Sequence, residues 1–104
     1  MRFERTASFK ADWKRLDNGE RGVVRSQITA FNLAADDVAD NSGDKSRWPT
    51  ALRIHDIENA KGVWSVTFKF SGPDIRATFE WGHDSEGPKI VWRRISGHKI
   101  YRNP

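Results

Sequence analysis

The hydrophobic period of this chain changes from 3.6 residues to 2 near residue 51, and that switch restricts the available folds more than any other feature. Before it, Val24, Ile28, Phe31, Ala35 and Val38 recur along one helical face over four turns, with Arg25, Gln27, Asn32 and Asp36 elsewhere. After it, "VWSVTFKF" (63–70) sets Trp64, Val66, Phe68 and Phe70 against Ser65, Thr67 and Lys69. "IRATFEW" (75–81) likewise sets Ile75, Ala77, Phe79 and Trp81 against Arg76, Thr78 and Glu80. Half-buried strands alternate in this way. Helices first and strands second predict an α+β domain, with the helices packed on one face of a mainly antiparallel sheet of four to five strands.

Local signals fill in the remainder. "RFERTA" (2–7) alternates and reads as a short N-terminal strand. Ser8 is placed to cap a helix in which Phe9, Trp13 and Leu16 share one face. In "DNGE" (17–20), Asp17 and Glu20 have capping-box spacing, and Gly19 is placed to release the first helix. "DNSGDKSRWP" (40–49) ends the second helix as a loop. "ALRIHDI" (51–57) reads as a strand, with Leu52 and Ile54 on one face and Arg53 and His55 on the other. "SGPD" (71–74) is a tight turn, and "GHDSEGP" (82–88) a longer connection. The last strand, "KIVWRRI" (89–95), fits two registers, because Ile90, Trp92 and Arg94 compete with Val91, Arg93 and Ile95 for the buried face. Trp13, Trp64 and Trp81 read as core, whereas Trp48 is either a lid over the core or a stacking surface for a base.

The helices cover the aromatic face, so the outward face is Arg53, His55, Ser65, Thr67, Lys69, Arg76, Thr78 and Glu80. One wet face is ordinary in an antiparallel sheet, so its polarity alone says nothing about function. Arg53 and Arg76 are either solvated residues paired with Asp56 and Glu80 or ligands for an anion. The chain carries 18 Lys+Arg against 14 Asp+Glu, a net +4. Asp36, Asp37, Asp40 and Asp44 cluster together, while residues 87–104 hold Lys89, Arg93, Arg94, Lys99 and Arg102 and no carboxylate. A basic end of this kind is the footprint expected of a phosphate-binding surface, and charge alone fits a surface that serves only solubility equally well.

At 104 residues the chain reads as a single domain spanning 1–104. Without cysteine it has neither disulfides nor thiolate ligands. "MRFERTASFK" lacks a signal-peptide apolar region, and no apolar run has membrane-spanning length, so a soluble cytoplasmic protein is expected. His55, His83 and His98 have no ligand spacing, so neither a metal nor a cofactor is expected.

The chain closes on "RISGHKIYRNP", which brings His98, Lys99, Tyr101 and Arg102 together just after the last strand. This ending resembles the "GtHdiyr" ending of RelE-like proteins, and "IRATFEW" is similar to the arginine-bearing strand of the same family. With two N-terminal helices on a sheet, the chain as a whole resembles the RelE/ParE superfamily of toxins from toxin–antitoxin systems. The resemblance implies an endoribonuclease that cleaves mRNA, mostly at the ribosome, and is silenced by a cognate antitoxin. It also implies Arg76 as the cation at the scissile phosphate, His98 as the general acid–base group, and Tyr101 as a second proton-handling or stacking group. Two departures stand out: Thr67 lies where many relatives carry a basic residue, and Arg53 and His55 replace a lysine-rich second strand.

The residues themselves suit that chemistry. A base must deprotonate the 2′-hydroxyl, an acid must protonate the leaving 5′-oxygen, and cations must hold the phosphate. Histidine, with an ordinary pKa of about 6.5, suits either proton job. Tyrosine, near 10, becomes a base only when cations such as Arg76 or Arg102 lower it; otherwise Tyr101 covers a sheet edge. Preorganised arginines bind phosphate oxygens in pairs and supply the electrostatic stabilisation. Arg53, His55, Lys69, Arg93, Arg94, Lys99 and Arg102 are the candidate RNA contacts. The alternative is a ParE-like protein that binds and inhibits a target such as DNA gyrase without nuclease chemistry. A plain single-strand binder fits less well, because the outward face has no aromatic stacking platform.

Overall fold

The structure is a computed structural model that describes residues 1–68 and 74–96. Lys69, Phe70, residues 71–73 of the turn expected over 71–74, and the tail residues His98, Lys99, Tyr101 and Arg102 lie outside the described residues. The elements run β1 (Phe3–Arg5), α1 (Ala7–Arg15), α2 (Asn18–Asp40), β2 (His55–Asp56), β3 (Val63–Phe68), β4 (Ile75–Asp84) and β5 (Gly87–Ser96). One five-stranded sheet has the order β1-β5-β4-β3-β2. β2 to β5 form an antiparallel meander, and β1 lies parallel to β5 with Phe3 opposite Ile90. This is the α+β architecture that the change of period predicts.

Helix boundaries follow from capping. Thr6, not Ser8, starts α1: its hydroxyl oxygen accepts from the Phe9 amide at 3.1 Å. The same hydroxyl donates to the Arg93 carbonyl at 2.8 Å, so one residue both caps the helix and ties it to β5. Ser8 falls inside the first turn, where its side chain is too late to serve that end. The capping box on α2 forms as spaced, with Glu20 N–H donating to Asp17 at 2.7 Å and Asp17 N–H to Glu20 at 2.9 Å. Gly19 is therefore part of α2, and α1 instead ends at Leu16, which turns extended. At the far end of α2 the Gly43 and Ser42 amides return to the Val38 and Ala39 carbonyls, with Ser42 left-handed at φ 59°. That pairing satisfies two carbonyls which the helix leaves open.

The core lies between α1, α2 and the sheet. Phe31, fully buried near its centre, has ring centroids 5.5 Å from Trp48, 5.2 Å from Phe79 and 4.8 Å from Trp92. Phe9 on α1 meets the same Trp92 at 5.9 Å. Trp48 is only 8% exposed, which makes it the lid over the core and not a base-stacking surface. Trp13, Trp64 and Trp81 are partly buried and pack against this cluster.

The strand expected over 51–57 is mostly a turn. Thr50–Leu52 forms a 3-10 turn after Pro49, Arg53 closes it in the left-handed region at φ 48°, and only His55–Asp56 joins the sheet. An apolar spacing of two, Leu52 to Ile54, suits a tight turn with a buried Leu52 as well as it suits a strand. The connection expected over 82–88 shrinks to a two-residue turn, because Asp84 still pairs with Gly87. Gly87 takes φ 107°, a backbone conformation that side chains disfavour. Arg2 grips this hairpin, donating twice to the Asp84 carboxylate and once to the Gly87 carbonyl, each at 2.8 Å.

The two competing registers of β5 are both correct, in different halves. Phe79 faces Trp92, yet the next residue back, Thr78, faces Arg94, so Arg93 is an extra residue at a β-bulge. A bulge resets the alternation of a strand. Ile90 and Trp92 before it and Ile95 after it therefore all reach the core, exposed by 1%, 4% and 1%.

Candidate nucleic-acid interface

Residues directly opposite one another on paired strands project from the same face of a sheet. The registers thus define the face away from the helices as rows. His55, Ser65, Thr78 and Arg94 form one row across β2, β3, β4 and β5. Thr67, Arg76 and Ser96 form the next, and Val63, Glu80 and Val91 lie on the other side. Arg76 and Arg94 are diagonal neighbours, so their Cα atoms lie roughly 7–8 Å apart. The bulge adds Arg93, whose guanidinium reaches Glu80 on this face at 3.2 Å.

The face is not the open polar surface that alternation alone suggests. Ser65, Thr67 and Thr78 are 0%, 3% and 0% exposed. These small hydroxyl side chains form a buried floor to the face. No buried side-chain nitrogen or oxygen among the described residues lacks a hydrogen-bond partner. The longer Arg76, Glu80, Arg93 and Arg94 are partly exposed above that floor.

Arg94 is held by a residue that the sequence reading passed over. Asp12, on α1 and only 5% exposed, accepts from Arg94 Nε at 2.7 Å and from its NH2 group at 3.1 Å. It also accepts from the Ile95 amide at 3.1 Å, with Arg15 at 3.6 Å. β1 ends before this point, so Asp12 satisfies a backbone donor at the edge of β5 where a strand would otherwise do so. Its carboxylate raises the Arg94 pKa above the ordinary value and keeps that guanidinium charged. An aspartate inside a helix ordinarily reads as solvent-facing. The signal that marks this one is its spacing from Phe9, three residues, which places it on the buried stripe.

The remaining candidates divide. His55 is exposed on β2, with Nδ1 3.0 Å from the Arg53 carbonyl. A carbonyl only accepts, so that nitrogen carries the hydrogen. Arg53 sits on its left-handed turn outside the strand and pairs with Asp74 at 3.7 Å, not with Asp56. Glu80 pairs with Arg93 instead of Arg76. The structure therefore brings His55, Arg76, Arg93 and Arg94 to one face and leaves Arg53 at its border. His98, Tyr101, Lys69, Lys99 and Arg102 fall outside the described residues.

Chemically, this face can hold an anion through planar, permanently charged guanidinium groups. No helix among the described residues is long and apolar enough to cross a membrane. No family model, curated protein or solved structure matches this chain.

Proposed function

We propose that this chain is the toxin of a toxin–antitoxin system of RelE/ParE type, a cytoplasmic, metal-independent endoribonuclease that cleaves mRNA at the ribosome. The observation that carries the reading is the gathering of Arg76, Arg93 and Arg94 on one face of β4 and β5, produced by the bulge at Arg93. β5 then runs on directly to the sequence that holds His98 and Tyr101. In this reading Arg76 binds the scissile phosphate and offsets charge that develops on it. His98 and Tyr101 exchange protons with the 2′-hydroxyl and the leaving 5′-oxygen. A cognate antitoxin keeps the protein silent.

The test is expression in bacteria with mapping of new RNA 5′ ends. Cleavage by the wild type that falls by about 10²–10⁴ in folded His98→Ala supports the assignment. Growth arrest without new 5′ ends, or undiminished cleavage by His98→Ala, overturns it. One observation favours a ParE-like protein that binds its target without cutting RNA. Arg93 and Arg94 already meet Glu80 and Asp12, which leaves less charge for a polyanion. Growth arrest that persists in His98→Ala with intact RNA marks that alternative.

A further inference from the structure

The helix-bearing side of the sheet carries a second surface, independent of the proposed nuclease chemistry. Among the described residues, β1 is an edge strand with only β5 beside it. The Thr6 amide bonds the Trp92 carbonyl and the Ile90 amide bonds the Arg2 carbonyl, so residues 2, 4 and 6 direct their backbone groups inward. By the two-residue period of a strand, the amides and carbonyls of Phe3 and Arg5 point to the free edge. Proteins ordinarily blunt such an edge, and three residues with a charge at Arg5 are a partial guard. Phe3 works against that guard, because it is 54% exposed.

The side chains of the same two residues line an apolar crevice of about 150 Å³. Phe9 and Trp13 of α1 and Val24 and Ile28 of α2 form its walls, over a floor that includes Trp92 and Ile95. A cavity of roughly this size takes up benzene, so the crevice has room for one branched or aromatic side chain. Two cations flank it. The guanidinium carbon of Arg25 lies 5.5 Å from the Trp13 ring centroid, and that of Arg5 lies 6.0 Å from the Phe3 ring. Neither meets a carboxylate among the described residues.

From these features we propose that β1 and its crevice dock an extended acidic segment of a partner protein, added to the sheet as a further strand. One apolar side chain of the segment fills the crevice, and its carboxylates meet Arg5 and Arg25. Backbone pairing with Phe3 and Arg5 supplies affinity, and the pocket supplies selectivity. A second copy of this chain fits less well, since pairing β1 with β1 brings Arg5 and Arg25 of both copies to one seam.

The test titrates the full chain with a short, end-blocked peptide alternating glutamate and valine, and with its lysine-for-glutamate counterpart, followed by NMR. The acidic peptide is expected to shift the Phe3 and Arg5 amides and the Trp13 indole. It is also expected to slow hydrogen exchange at Phe3 and Arg5 while leaving Glu4, whose amide points inward, unchanged. Arg5→Glu combined with Arg25→Glu should weaken the acidic peptide by about ten-fold or more and admit the lysine peptide. Absence of shifts on β1, equal response to both peptides, or indifference to the double reversal overturns the proposal. Dimerisation through β1 without peptide, seen by sedimentation, overturns it in favour of a second copy.

Discussion

Replacing Asp12 with alanine tests how the edge of β5 is held. The substitution removes a carboxylate that is 5% exposed and that accepts from the Ile95 amide and twice from Arg94. The Ile95 amide is then buried without a partner, a loss of about 1–3 kcal/mol. Arg94 has 31% of its side chain exposed and can turn to water, so its lost ion pair adds only about 0.2–1 kcal/mol. Alanine returns about 0.5 kcal/mol through its helix preference. The net destabilisation is about 2 kcal/mol, or a fall of roughly 9 °C in Tm for a domain of this length. Urea denaturation measures it, and an unchanged slope shows that the denatured state is unaffected. Asp12→Asn should lose less, because its carbonyl oxygen still accepts from Ile95. A double-mutant cycle with Arg94→Ala separates the two parts, and a coupling of about 0.2–1 kcal/mol is expected. A change of under about 0.5 kcal/mol for Asp12→Ala would refute the reasoning, since it would mean the Ile95 amide finds another acceptor or water.

Other perturbations give equally definite outcomes. Trp48→Ala should cost about 3–5 kcal/mol by chemical denaturation, because it removes the ring stacked on Phe31 and set edge-on to Phe79; a small effect would return Trp48 to the role of a ligand-stacking surface. Arg76→Ala should abolish RNA cleavage and shift stability by no more than about 1 kcal/mol; a large loss of stability would make Arg76 a structural member of the sheet. Acid should loosen the hairpin between β4 and β5. Asp84, paired with Arg2 and bonded by the Glu86 amide, titrates below its ordinary value of 3.8, and Asp37, paired with Arg47, does the same. Their contribution is complete above about pH 5 and is lost as pH falls through their lowered folded-state values, so Arg2→Ala, which removes the Asp84 part, should flatten the acid limb of the stability profile. An unchanged acid limb in Arg2→Ala would show that the Arg2–Asp84 pair does not contribute to folding.

How far the sequence speaks depends on how many residues share a signal. α2 is legible because five apolar positions repeat one period and a capping box marks its start. β3 and β4 are legible because their core faces alternate without interruption over Trp64–Phe68 and Ile75–Trp81. β5 defies a single register because one inserted residue, Arg93, reverses the pattern halfway. Alternation also identifies which residues share the polar face but not their depth, and Ser65, Thr67 and Thr78 are buried there. Asp12 and Thr6 are harder still. Each acts on β5 from more than eighty residues away in sequence, at separations of 82 and 87, and no local pattern records such a contact. Arg76, Arg93 and Arg94 were recognisable as candidates, while their arrangement depended on the bulge.

The parallel pairing of β1 with β5 also sets an order of events during synthesis. β2, β3, β4 and β5 each pair with a sequence neighbour, so the meander assembles from local contacts. β1 leaves the ribosome first and is paired last, because Phe3 must wait for Ile90. Contacts this distant form late, after the chain between them has been ordered. Thr6 and Asp12 wait with it, since the Arg93 carbonyl, the Arg94 guanidinium and the Ile95 amide are their partners. The arginine-bearing end of β5 thus gains its support only once β5 has been made and has met β1 and α1. For a protein proposed to attack the messages translated around it, strand order alone delays competence until β5 itself has been translated.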